Sequence, residues 1–293
     1  FLVNTFEMPI FIATLSLATT IRGLMLAFVG NEYIPSTDMP PATIDFSKMY
    51  WFNTTDASGS TFGLHFSVFI MLAVMVITHL VMRHTIVGRG IYALGGDMNS
   101  ASRIGYNVKR LRLFLYGYAG CLAGLGGLIY VSNNRMADPM SFQGEELTVI
   151  AAAVLGGTSI SGGKGSVLGV FLGLMLTNVI NNNLVIIGID SYWQKFTFGL
   201  LVIVAVVIQS LRQRCRRRAM MQENRKRSWF SRINANTKQL VCICILIFAV
   251  FSVMMPTRFP TLRNLESMSF QFPEPGLFTL GIAITMLTAG ADL

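Results

Sequence analysis

Long apolar blocks alternate with short polar stretches along this chain, and the blocks have membrane-spanning length. Pro9–Val29, Phe62–Met82, Leu113–Tyr130, Val167–Ile187 and Trp193–Gln209 each approach the roughly 20 apolar residues that carry a helix across a bilayer. Leu240–Met255 starts a further block, and Gly276–Leu293 another. Leu147–Leu155 is apolar but too short to cross, and it runs straight into the glycine-rich stretch 156–165. A short apolar helix ending in polar, flexible backbone reads as a broken or half-spanning helix, tolerated at depth only where protein or a hydrated cavity covers it. The predicted architecture is all-α: a polytopic α-helical membrane bundle with short and broken helices. Glycines recur at a spacing of four, at Gly120 and Gly124 and again at Gly165, Gly169 and Gly173, and small residues so placed let helix backbones approach closely in lipid.

The polar stretches carry the orientation. Arg83–Arg112 holds Arg83, Arg89, Arg103, Lys109, Arg110 and Arg112 against Asp97 alone, a net charge of +5, and Arg212–Lys238 holds ten Lys and Arg against Glu223, a net charge of +9. Basic loops between spans face the cytoplasm. Residues 30–61, with Glu32, Asp38, Asp45 and Asp56 against Lys48, then lie outside. Counting spans from the first basic loop brings the chain back inside at Arg212, provided that Leu147–Leu155 takes the chain inward. Arg22 interrupts the first block, and snorkelling to the interface is its simplest role. Within the first basic loop, Asp97–Tyr106 reads as a short helix capped by Asp97 or Asn99 and ended by Gly105. Such a helix is where a cytoplasmic partner would grip the membrane part; otherwise the loop only sets topology.

Composition agrees. The 293 residues are 53% hydrophobic and 13% charged, with a mean hydropathy of +0.56, against about a quarter charged in soluble domains. The net charge of +9 is concentrated in two loops, which speaks for topology and against nucleic acid. Cys121, Cys215, Cys242 and Cys244 show neither metal-ligand spacing nor a disulfide framework, and His65, His79 and His84 are scattered. The run Gly162-Gly163-Lys164-Gly165 imitates a phosphate-binding loop but fails it. Thr158 stands where the pattern needs glycine, and Gly165 where it needs Ser or Thr. The chain is therefore not expected to bind ATP itself, and no cofactor is expected to bind directly. A path for a polar substrate has candidates in Asn178, Asn181 and Asn182, with Glu146, Thr158 and Ser159. Asparagines at the interface would instead only end the helix. The chain begins with Phe and ends inside an apolar block, and so reads as a piece of a longer protein.

Three runs, GRGIYALGGDMNSASRIGYNVKRLR, GEELTVIAAAVLGGTSISGGKGSVLG and NNNLVIIGIDSYWQ, resemble the permease subunits of bacterial ribose/galactose/xylose-type ABC importers, as does the early PIFIATLSLATTIRGL. The resemblance covers most of residues 8–211 and corresponds to the second half of such a permease. The tail, with FPTLRNL and GIAITMLTAGADL, is similar to the family's beginning, though Ala289 and Ala291 depart from its pattern. Residues 1–211 then form the later half of one permease unit, 212–238 a basic cytoplasmic linker, and 239–293 the start of a second unit. The resemblance implies a bacterial inner-membrane, multi-pass protein and no enzyme. Its partners would be a cytoplasmic ATPase carrying ATP and Mg, a periplasmic or lipid-anchored sugar-binding protein and a second permease unit, but no nucleic acid. It places the coupling loop at Gly95–Gly105, with Gly95, Gly96, Asp97, Asn99, Ser100, Ala101, Ser102, Arg103 and Gly105 in the contact. The family more often has Asn at 97 and an acid at 148, where this chain has Asp97 and Thr148. Non-sugar ligands such as an autoinducer or a nucleoside stay open, as does an ion-coupled transporter.

Overall fold

The computed structural model describes residues 10–289 except 31, 56–60, 189, most of 191–228, 255–258 and 260. Helix α1 (Ile10–Val29) leads into an outer cap. The cap contains β1 (Ile34–Pro35), one 3-10 turn, α2 (Pro41–Phe46) and the hairpin β2 (Tyr50–Thr55)–β3 (Thr61–His65). Next come α3 (Phe66–His84), α4 (Ile86–Gly96), α5 (Met98–Arg103), α6 (Val108–Asn134), β4 (Met136–Ala137), α7 (Glu145–Leu155) and α8 (Val167–Ile187). The tail adds α9 (Trp229–Met254), α10 (Leu262–Gln271) and α11 (Pro273–Ala289). Among the described residues, α3, α6 and α8 are long and apolar enough to cross a membrane, with shorter apolar runs at Ser16–Val29 and Leu240–Val253. The expected span Trp193–Gln209 and the linker to residue 228 lie largely outside the described residues.

Local chemistry sets the helix ends. Ser166 caps α8, its hydroxyl accepting from the Gly169 N–H at 3.1 Å, and Gly188 closes the helix at φ +80°, a left-handed conformation that glycine takes without penalty. The span therefore has the bounds its apolar pattern predicts. Helix α7 spans only 11 residues, about 16 Å at 1.5 Å per residue, roughly half of a bilayer core. It ends in a turn through Gly157, Gly162 and Gly163, all at positive φ. Some of the turn's amides are satisfied locally: Gly157 N–H donates to the Val154 carbonyl at 2.9 Å, and Ser159 N–H to the Lys164 carbonyl at 2.8 Å. Helix α4 departs from the expectation of a plain polar loop. Ile91 and Leu94 on it are fully buried, so the first half of that stretch belongs to the core.

Helix α11 is the axis of the packing. Its Leu277, Leu280, Ala283, Ile284 and Leu287 join Met82, Ile91, Leu115, Leu122, Ala153 and Val170 in one buried cluster. A second cluster, of Met71, Leu174, Phe259, Met268 and Phe272, fixes α10 against α3 and α8. The ridge expected at Gly169 and Gly173 does pack: these glycines lie on the backbones of Gly156 and Ala152, so α7 and α8 touch main chain to main chain. The ridge expected at Gly120 and Gly124 does not pack among the described residues, none of which lies within 4 Å of where their side chains would be; Gly126 makes a close contact on α6, against the Phe278 ring.

Gly173→Ala should lower thermal stability in detergent by about 1–3 kcal/mol, because its methyl group meets the Ala152 carbonyl backbone. Gly120→Ala, in open space, should be neutral or stabilise by up to about 1 kcal/mol through helix propensity. Equal losses at both positions would contradict the packing described.

Candidate functional site

The short helix α5 stands out on the side of the bundle that carries the first basic loop. Asp97 caps it twice: Oδ1 accepts from the Asn99 N–H at 3.0 Å and Oδ2 from the Ser100 hydroxyl at 2.6 Å. These bonds, the Ser100 hydroxyl first, hold the Asp97 carboxyl below its usual range. Gly105, at φ +98°, ends the turn, and its N–H donates to the Ser102 carbonyl at 3.0 Å. The Arg112 guanidinium donates to Met98 Sδ at 3.3 Å, tying α5 to the start of α6.

The residues expected in the contact divide by burial. Gly96, Asp97, Asn99, Ser100, Ser102, Arg103 and Gly105 are exposed, whereas Gly95 and Ala101 are buried. Ala101 points into the bundle and anchors the helix. Gly95, in the last turn of α4, lies against the Leu287 carbonyl and Gly163, and the Gly163 N–H donates to Leu287 O at 2.9 Å. The Tyr92 hydroxyl donates to the Gly165 carbonyl at 3.1 Å, a second tie between α4 and the glycine turn. Sequence reasoning missed Ile104, a β-branched apolar residue 75% exposed at the tip beside Gly105. Its position next to a helix-ending glycine was the available signal.

The six substrate-path candidates do not form one cluster. Thr158 and Ser159 are buried in the glycine turn beside α4. Asn178 and Asn182 are buried on the far half of α8, and Asn181 is partly covered. Asn182 Nδ2 donates to Asn264 Oδ1 at 2.6 Å, which commits it to holding α10. Asn178 Nδ2 and, five residues on, Asn183 Oδ1 are buried with no hydrogen-bond partner among the described residues. Glu146 lies at the opposite end of the bundle from α5, 3.8 Å from Arg22, with both side chains partly in solvent. Arg22 thus has a carboxylate within ion-pair distance. Two small cavities, one lined by Met82, Tyr92, Thr158 and Leu287 and one by Met71, Leu174 and Gly276, are each about 10 Å³, room for about one water and not for a sugar. Among the described residues no cluster of His, Cys, Asp and Glu fits a metal ion.

These helices, with their half-span, glycine contacts and apolar exteriors, define a multi-pass α-helical membrane protein. The chain belongs to the family described as the branched-chain amino acid transport system/permease component, which matches residues 1–206. Among curated proteins it is 33% identical over 207 residues to a probable ABC transporter permease protein, YphD, of Escherichia coli K12, covering 70% of this chain and 58% of that one. It is 35% identical over 197 residues to the ribose import permease protein RbsC of Haemophilus influenzae, covering 67% and 58%. It is 32% identical over 210 residues to the D-allose transport system permease protein AlsC of E. coli K12, covering 72% and 61%. The chain thus spans about three fifths of the length of these relatives. No solved structure matches it.

The end of the bundle around Glu146 supplies a pH test. Glu274 lies in the outer turn of α11, ahead of the apolar run from Gly276. Burial, with the Glu145 carboxylate nearby, pushes its carboxyl up to about 7. The folded state therefore holds this proton more tightly than the unfolded chain, and stability declines as pH rises from about 4.5 to about 7. The melting temperature should fall by several degrees between pH 5 and pH 8, and Glu274→Gln should remove most of that fall. An unchanged pH profile in the variant would show that Glu274 is not the group responsible.

Proposed function

We propose that this chain is the membrane-spanning permease part of a bacterial inner-membrane ABC importer. It passes a monosaccharide, handed over by an extracytoplasmic binding protein, across the bilayer. A cytoplasmic ATPase carries the ATP and Mg and grips α5. The single observation that supports this best is the shape of α5. It is a separately capped, exposed helix whose anchors, Gly95 and Ala101, lie in the bundle core. Small exposed side chains at Asn99, Ser100 and Ser102 allow a cleft to close around it, and Ile104 offers an apolar contact at its tip. Movement of α5 reaches the core through Gly95, which abuts Gly163 and Leu287. Coupling then needs only two bundle states that differ in the position of α5. The ribose and allose named for the relatives make a monosaccharide the first substrate class to try. In this reading residues 1–211 are the later half of a permease unit, 212–238 a basic linker, and 239–293 the beginning of a unit.

The test is ATP-dependent uptake of a labelled monosaccharide in proteoliposomes holding the full-length protein with its neighbouring ATPase and binding protein. Ser100→Arg, on the exposed face, should keep the bundle folded while reducing ATPase recruitment and uptake at least tenfold. Ala101→Arg would put a charge in the core and is unsuitable for this purpose. Normal recruitment and uptake by Ser100→Arg would remove α5 from the coupling.

A further inference from the structure

The tail of this chain follows residues 1–211 in sequence but lies within their packing. We propose that residues 240–289 pack into the bundle formed by residues 66–187 of their own chain and not into that of a second copy. The proposal rests on packing alone and is independent of the transport reading.

Three observations carry it. First, α11 does not lie on the bundle's outside. Leu277 is fully buried, and Leu280, Ala283, Ile284 and Leu287 are nearly so, between α3, α4, α6, α7 and α8. Second, the fit is made at glycines, where only one shape of neighbour works. Gly126 receives the Phe278 ring at 3.0 Å from where its Cβ would be, and Gly276 in turn lies against Met71 and Leu174. Gly95 and Gly163 meet the Leu287 backbone. In lipid, where apolar burial does not drive helices together, such close approach is what holds them. Third, both ends of the tail are fixed by polar bonds to the earlier part. At the outer end Asn264 accepts from Asn182 at 2.6 Å, and Glu266 Oε1 accepts from the Gly63 N–H at 3.1 Å. At the other end Leu287 O accepts from Gly163 N–H at 2.9 Å.

The tail's own tether favours this chain over a second copy as the source of α11. Residues 211–228 connect the two parts, and 18 residues reach up to about 60 Å, ample for a return on the same side of the membrane. A tethered helix meets its groove at an effective concentration in the millimolar range.

The experiment uses the full chain with Cys121→Ser, Cys215→Ser, Cys242→Ser and Cys244→Ser, then Leu122→Cys with Gly281→Cys. A Cβ at position 281 lies 3.8 Å from Leu122 Cβ, within the range of a disulfide. Oxidation in membranes should give a monomer of altered mobility, reversed by reductant. A covalent dimer would assign the groove to another copy's tail and overturn the proposal, as would the absence of any bond in chains that reach the membrane. If the double variant does not accumulate, the otherwise unaltered chain with a protease site inserted between Arg225 and Lys226 decides. After cleavage in mild detergent the two pieces should co-elute, and their separation would overturn the proposal.

Discussion

Everything in this bundle depends on how closely its backbones approach. Hydrocarbon offers no water to an unpaired amide and no gain for merely hiding a leucine, so helices that stay together must fit at the main chain. Glycine supplies that fit at a small number of places: Gly156 against Gly169, Gly173 against Ala152, and the three-way meeting of Gly95, Gly163 and Leu287. The last is the most consequential, because three separate stretches of sequence converge there. The end of α4, the turn after the half-helix α7 and the end of α11 have no room for a methyl group between them. The position of α5, which starts at the next turn, is inherited from that junction.

Much of this was legible in the sequence, for local reasons. The length and apolarity of Val167–Ile187, between a serine cap and a left-handed glycine, define α8 without reference to any other helix. Asp97 as a cap follows from its side chain and from the small polar residues after it. The shortness of α7 was equally visible, because its apolar run stops at a glycine cluster. What was not legible depends on partners distant in sequence. Ile86–Gly96 looks like part of a polar loop because arginine and glycine interrupt it, yet Ile91 and Leu94 fall on one face and find a core. Gly120 and Gly124 have the same spacing as Gly169 and Gly173, but no helix lies opposite them among the described residues. Spacing marks where an approach is possible and cannot say whether a neighbour arrives. The candidate site shows the same division: its caps were readable, whereas the inward turn of Ala101 and the outward turn of Ile104 required the surrounding helices.

The two ends of the bundle are built differently. At the end away from α5, extended pairs do the joining: β1 with β4, and β2 with β3, with the Arg135 guanidinium donating to the Ser47 hydroxyl at 3.0 Å from the left-handed residue that closes α6. At the α5 end, glycine turns and single backbone bonds take that role. Ladders resist shear along their length, whereas glycine turns have a wide range of allowed dihedral angles. The end with the ladders holds Arg22, Glu146 and Glu274, and the end with the glycine turns holds the junction beneath α5.

Helix α1 has a different environment. From Ser16 to Val29 only Arg22 and Leu26 are even partly covered, and Phe28 is 86% exposed. A helix with few contacts to its own bundle takes its tilt from the bilayer more than from those neighbours. Its 20 residues span about 30 Å, close to the thickness of an average hydrocarbon core, so a thicker membrane holds it upright and a thinner one lays it over. In a bilayer the tilt of α1 therefore answers to lipid thickness, and so does that of α9, whose Ile245, Leu246 and Val253 are likewise exposed.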